Sequence, residues 1–372
     1  MADDLINFGG KDLAKLYNET GSRDAVFEYL DGVIRDYKTL DPQISDTTKE
    51  ELQSIRDQIE LLSLPEGTEY INKSKNPSQH IRRQVFEPRT WNDKKKRDPK
   101  TMSKFTVLAE DPKHYWSLYS EGTRPYWNQY DLLGLFFSKM GPAPGGGSVA
   151  NQRNFYLPLT AVCAKFCLWL GGVLIPKMTG DDPKKKRKGA GVGAPPACFQ
   201  CTWNQDTGRF FLGASLAGFV DNTAEVGIWE DRLRETRYRL LDSFYNFPGK
   251  WGAYEEKRSP ANVYENKKTL FGNCGETYPF LEMIGPHIAD IDVRVETHGL
   301  ALGNQFGGVA EYQTEAFSSY LIPPCLNCQQ LLRYAGVYNV AKFVTDSTME
   351  TPFFPLAIPL ENEKEGENSG SD

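Results

Sequence analysis

The chain has 372 residues, 40% of them hydrophobic and 12% aromatic, so it can bury the cores of two or three domains and is not a disordered polypeptide throughout. A formal net charge of −6 removes any global electrostatic argument for nucleic-acid binding, and a surface for such a partner must be local. Seven cysteines, an odd number, follow a start with no apolar secretion signal; the expectation is a reducing, intracellular setting, cytoplasmic or nuclear.

Residues 1–65 read as a helical N-terminal region. Val26, Leu30, Val33 and Tyr37 share one helical face, and Leu52, Ile55, Ile59 and Leu62 share another, each at the spacing of an amphipathic helix. Thr47-x-x-Glu50 has the form of a capping box. The polar backs of these helices predict a layer packed on the rest of the chain. Residues 66–150 read as an accessory or linker region, in which Pro, Asn and Lys interrupt the pattern and 94–97 is a run of four basic residues. Tyr115, Trp116, Tyr119, Tyr126, Trp127, Tyr130, Phe136 and Phe137 then cluster. Their apolar and acidic neighbours favour a core over a base-stacking surface. The stretch 142–148, Pro-Ala-Pro-Gly-Gly-Gly-Ser, reads as a flexible turn and lacks the Lys-Ser/Thr ending of a phosphate loop.

The most apolar run, 157–175, carries Lys165. It is of marginal length for a membrane span and is expected to be a buried helix, with no membrane partner. Lys184, Lys185, Lys186, Arg187 and Lys188 follow; this basic loop reads as a nuclear-import signal, a grip on a phosphate backbone, or a solvated loop. Cys198 and Cys201 form a Cys-x-x-Cys pair in an alternating, aromatic-rich context. On a strand such positions point to opposite faces, so these two read as packing residues. Cys163 and Cys167, one helical turn apart in the apolar run, read the same way.

Val226, Trp229, Leu233, Tyr238 and Leu241 predict a helix over 222–246. Ile291, Val293 and Val295 alternate towards His298, a histidine expected either in a hydrogen-bonded structural role or facing a site. A helix is predicted from Pro324 to Gly336 and a strand over 337–345. The tail 351–372 ends in an acidic, Gly/Ser-containing stretch expected to be disordered.

Two segments carry chemistry. Phe271-Gly-Asn-Cys-Gly-Glu-Thr-Tyr-Pro279 supplies Cys274 and Glu276, and Pro323-Pro-Cys-Leu-Asn-Cys-Gln-Gln330 supplies Cys325 and Cys328. With Asn273 as N-cap, Cys274 and Glu276 would occupy a first helical turn. With Pro324 at the first helical position, Cys325 and Cys328 would lie one turn apart on one face. Thiols at helix starts sit in a positive dipole field that favours the thiolate. Three thiolates leave the fourth tetrahedral position of Zn²⁺ open for water, as in a catalytic rather than a structural site. Glu276 would not bind the metal but would accept the water's proton and deliver it to a ring nitrogen and a leaving amine. Three thiolates also make the ion a weaker Lewis acid than a His-Cys-Cys set, and no Arg or Lys flanks either motif in sequence.

This pair of motifs resembles the cytidine-deaminase-like superfamily, whose zinc signature is Cys/His-x-Glu followed by Pro-Cys-x-x-Cys. Residues 197–215, a strand, a turn ending in Thr-Gly and a strand ending in Gly-x-Ser, resemble the first hairpin of the toxin-type, YwqJ-like deaminases. The likeness covers 195–345, with longer intervals between hairpin and motifs than the superfamily has. It implies an α/β fold for 151–350: a three-layer α-β-α core with a mixed sheet, catalytic Glu276, and zinc on Cys274, Cys325 and Cys328. Asn262-Val-Tyr-Glu265-Asn266 is similar, with one extra residue, to the ribose-binding Asn-x-Glu-Asn of nucleoside deaminases. That similarity, with His298, gives weak candidates for substrate binding. The implied function is hydrolytic deamination of a nucleobase, cytosine to uracil in single-stranded DNA or RNA. The alternatives are a free nucleoside or nucleotide deaminase and a non-catalytic, zinc-stabilised binding protein. Self-association is left open by the sequence.

Overall fold

The computed structural model describes residues 4–40, 46–63, 119–121, 124–126, 129–171, 196–216, 237–238, 240–241, 272–284, 296–334 and 343. The elements are α1 (Leu13–Glu19), α2 (Arg23–Leu40), α3 (Asp46–Leu62), β1 (Tyr119–Glu121), β2 (Arg124–Tyr126), α4 (Gln129–Lys139), α5 (Leu157–Leu170), β3 (Cys198–Asn204), β4 (Phe210–Ala214), α6 (Thr277–Met283), β5 (Thr297–Gly303), α7 (Thr314–Ser318), β6 (Leu321–Ile322) and α8 (Leu326–Tyr334). The 262–266 motif, the basic loop 184–188, most of the 222–246 helix, the 337–345 strand apart from Phe343 and the tail 351–372 lie outside the described residues.

The N-terminal helices form where their periodicity predicts. Val26, Leu30, Val33 and Tyr37 are buried, as are Leu52, Ile55 and Ile59. Helix α3 starts at Asp46, which places Thr47 inside the first turn rather than at the cap. These helices are more than an outer layer. Phe8 packs its ring against Phe137, Phe155 and Phe210, and Tyr17 packs edge-on to Tyr312 and Phe317 while donating a hydrogen bond to the Val309 carbonyl at 2.8 Å. One hydrophobic cluster therefore runs from Phe8 to Phe343.

Helix α4 belongs to that cluster and lies between α3 and the edge strand β4. Tyr126, Tyr130, Phe136 and Phe137 are all buried in it, which makes them core residues as expected; Tyr115, Trp116 and Trp127 lie outside the described residues. The 142–148 stretch is anchored rather than loose. The Ala143 amide donates to the Gly208 carbonyl at 2.9 Å, and the Gln205 side chain donates to the Gly147 and Ala150 carbonyls. A Cβ on Gly147 would overlap the Gln205 carbonyl, so a side chain there would push the hairpin turn away.

Asn151 caps the entry to α5 by accepting from the Arg153 and Asn154 amides. The helix is buried on every side, Trp169 alone being partly exposed, because it sits between α1, α2 and α4 and the sheet. No helix among the described residues is long and apolar enough to cross a membrane.

The sheet has four strands in the order β4-β3-β5-β6. Every pairing in it is antiparallel, which corrects the expected mixed sheet for the described strands. The physical reason is local: the 205–209 turn folds β4 straight back on β3, and β5 pairs with the other edge of β3 with Asn204 opposite Thr297 and Cys198 opposite Gly303. Alternation along β3 assigns its faces. Trp203 stacks on Tyr156 at 4.1 Å, and Cys201 meets Thr160 of α5. Gln200, Thr202 and Asn204 point to the opposite face, where α6 and Phe343 pack. Helices thus cover both faces of an antiparallel sheet.

Lys165 places a charged side chain inside this core. Its amine donates to the Tyr17 carbonyl at the end of α1 and lies 4.1 Å from the Tyr17 ring centre. Burial lowers its pKa from 10.5 to about 8. Below pH 8 both folded and unfolded chains carry the proton and the burial cost is constant. Between pH 8 and 10.5 the folded chain has released a proton that the unfolded chain still binds, so this residue's contribution to stability improves as pH rises. Wild type should therefore gain up to roughly 3 kcal/mol relative to Lys165→Met across that window. Urea unfolding of both proteins at intervals of pH measures it; a pH-independent difference would refute the buried ammonium.

Candidate metal centre

The site is built where β3 begins and β4 ends. The Ser215 hydroxyl accepts from the amides of Ala197 at 2.8 Å and Cys198 at 3.1 Å, and the Ser215 amide donates to the Cys198 carbonyl at 2.8 Å. One residue on, the Leu216 amide donates to the Asn273 carbonyl at 2.7 Å. This stitches the end of the hairpin to the segment that carries Cys274. Gly213 explains the Gly-x-Ser ending. A Cβ there would overlap the Gly275 carbonyl oxygen and stand 2.5 Å from a Pro279 ring carbon, so the 272–276 loop lies directly on bare strand backbone.

Cys274 and Glu276 precede the helix instead of filling its first turn. Thr277 donates to the Cys274 carbonyl through its amide at 3.3 Å and its hydroxyl at 2.8 Å, α6 starts at Thr277, and Glu276 is its N-cap. Pro279 is the reason. A helix capped at Asn273 would need the amide of residue 279 to bond the Gly275 carbonyl; proline has no such hydrogen, and its ring would clash there. Starting at Thr277 puts Pro279 in the first turn, where its missing donor costs nothing.

On the other side of the site, Cys325 rather than Pro324 opens α8. Its carbonyl accepts from the Gln329 amide at 2.9 Å, and its sulfur accepts from the amides of Asn327 and Cys328, the donors an N-cap side chain satisfies. Cys328 follows one turn later on the same side. The Sγ atoms of Cys274 and Cys325 are 3.4 Å apart, those of Cys325 and Cys328 are 3.5 Å apart, and all three lie within 4.8 Å of one another. A tetrahedral ion with metal–sulfur bonds near 2.3 Å spaces its sulfurs by about 3.8 Å. The three cysteines are thus close enough to hold a metal ion, and the donor set suits a soft or borderline cation.

The thiols share charge. Hydrogen bonding with the Cys274 and Cys328 thiols, and then the two backbone amides, holds Cys325 well below the usual thiol range. Cys274 is pushed up because it gives its hydrogen bond to Cys325, and Cys328 is pushed up by burial. Glu276 is 5% exposed. Burial first and the Cys325 charge second push its carboxyl up to about 7, against the pull of its own backbone amide, the Cys328 thiol and the Arg237 guanidinium.

Two further residues border the cluster. Cys198 and Cys201 occupy a strand with their side chains on opposite faces, as expected, but only Cys201 is a plain core residue. Cys198 lies near enough to feel the charges of Glu276 and Cys325, which add to burial in raising its pKa; it is outside the three-sulfur group. Arg237 was not anticipated. Its fully buried guanidinium donates through Nη2 to the carbonyls of Cys274 at 2.8 Å and Ala214 at 3.2 Å. A signal existed: Leu233, Arg237 and Leu241 fall on one face of the predicted 222–246 helix, so an arginine occupies a core position.

His298 is not brought to the cluster. It pairs with Trp203 across β5 and β3 and stacks on that indole at 5.6 Å, five rungs from the Cys198–Gly303 pair, or about 17 Å along the strand. Asn262, Glu265 and the basic residues Lys184, Lys185, Lys186, Arg187 and Lys188 lie outside the described residues. The chain matches no protein-family model, no curated protein and no solved structure, so the reading of this centre rests on its geometry.

Gly213→Ala should force the 272–276 loop off the strand and destabilise the protein by about 1–3 kcal/mol, the usual cost of overpacking. Denaturant unfolding checks this; an unchanged midpoint would refute the close approach.

Proposed function

We propose that the protein is a zinc-dependent hydrolytic deaminase of a nucleobase, cytosine above all. The observation that carries this reading is the meeting of three cysteine sulfurs within 4.8 Å beside the buried carboxylate of Glu276. Zinc takes four ligands, and sites with three protein donors keep the fourth position for water or substrate. When bound, the ion would lower the pKa of a water towards neutrality. With a metal held by the three cysteines, Glu276 would take a proton from the attacking water as the water oxygen bonds to the amino-bearing ring carbon, and would hand it to the adjacent ring nitrogen. It would next take the hydroxyl proton and give it to the amine. The carbon–nitrogen bond breaks, and the products are uracil and ammonia. A base inside a duplex is out of reach of such a carboxylate, so the substrate is an unpaired or flipped base, in single-stranded DNA or RNA, or a free nucleoside.

Cys198 motivates one other reading. Its thiol borders the cluster, and a fourth sulfur on the ion would close the site into a structural zinc of a binding protein. The two readings separate cleanly. In the deaminase, Glu276→Gln retains zinc and loses roughly a hundredfold or more of turnover, and Cys198→Ser retains one zinc per chain. Mass spectrometry of deaminated products from a panel of nucleosides, single-stranded DNA and RNA, with metal analysis of each variant, decides between them. Absence of product from every substrate with zinc-loaded wild type, or loss of zinc in Cys198→Ser, would reject the deaminase.

A further inference from the structure

We infer that Arg237 is the positioning residue of the metal centre, and that with Asp131 it forms a buried latch fixing the Cys274 turn before a metal binds. This inference rests on the three-cysteine metal reading above. Cys325 and Cys328 are held by α8, whose first amides meet the Cys325 sulfur. Cys274 has no such support, since its residue precedes α6. Its carbonyl is instead gripped by Thr277 at 2.8 Å and by Arg237 at 2.8 Å. Orienting that carbonyl sets the peptide plane, and with it the direction in which the Cys274 side chain leaves the backbone.

The same Arg237 nitrogen reaches the Ala214 carbonyl at 3.2 Å, so one rigid group ties the Cys274 turn to the last residue of β4. The guanidinium is itself fixed from two further directions. Its Nη1 lies 3.5 Å from the Asp131 carboxylate in the first turn of α4, both side chains being almost wholly buried. Its centre stands 5.6 Å from the Tyr278 ring, which stacks on Tyr126 at 4.7 Å. A guanidinium stays charged at any working pH and donates in a planar fork; lysine offers a point charge on a flexible stem and cannot reproduce that geometry.

The test is zinc affinity of the full chain by competition with a chromogenic chelator, with Co²⁺ absorption as a second report on ligand geometry. Arg237→Lys, Asp131→Asn and Arg237→Met should each weaken zinc by roughly 10–100-fold, the range found when supporting partners of metal ligands are removed, and shift the Co²⁺ bands. A purely architectural role would lower the melting temperature of the apo-protein and leave the affinity of the folded protein unchanged. Arg237→Lys keeps the charge facing Asp131, so it remains the deciding variant if Arg237→Met does not fold. Zinc affinity of Arg237→Lys within about twofold of wild type, well short of that range, would overturn the latch alone. Wild type that takes up no zinc would overturn the metal reading and the latch together.

Discussion

The contact on which this structure depends is the approach of the 272–276 loop to the backbone of β4. Gly213 has no side chain, so the Gly275 carbonyl and the Pro279 ring rest on the strand itself. The Leu216–Asn273 hydrogen bond at 2.7 Å closes the seam. Everything functional is downstream of that seam. It fixes Cys274 at one end of the sheet, it sets Glu276 at the start of α6, and it leaves Arg237 sealed between β4 and the loop. A side chain at position 213 would hold the same sequence motifs apart.

Buried charge is the second constraint. Three sulfurs and a carboxylate meet in a partly to fully buried group; hydrogen bonding lowers the Cys325 thiol, while Cys274, Cys328 and Glu276 are pushed towards retaining their protons. A divalent cation relieves that congestion more effectively than protons do, because it neutralises several donors at once. Arg237 brings a fully buried guanidinium to the Cys274 carbonyl. No Arg or Lys flanks either motif in sequence; the fold supplies the guanidinium of Arg237, bonded to the Cys274 carbonyl.

The helices upstream serve the same geometry. Phe8, Phe137, Phe155 and Phe210 form one aromatic cluster, so the N-terminal segment, α4 and β4 are held as a unit. Asp131, at the start of α4, reaches Arg237 only because α4 is packed on that strand. Described residues on both sides of position 150 therefore share one hydrophobic cluster. Linear periodicity marked α2, α3 and α5 but carried no information on which helices share an interior.

Alternation along β3, the apolar stripes of α2 and α3, the hairpin with its Thr-Gly turn and the core role of Tyr126, Tyr130, Phe136 and Phe137 were legible in the sequence, because each depends on residues close in the chain. So was the grouping of Cys274, Cys325 and Cys328, which lie close enough to hold a metal ion, since both motifs have the spacing such ligands take. Tertiary structure decided the rest. It moved the start of α6 past Cys274, because a proline amide cannot serve a longer helix. It made the described sheet antiparallel throughout, and it carried His298 to the far end of β5. It also brought Arg237 and Cys198 to the cluster from separate segments. Strand order and the burial of one charge against another are properties of contacts between distant residues, and no local pattern encodes them.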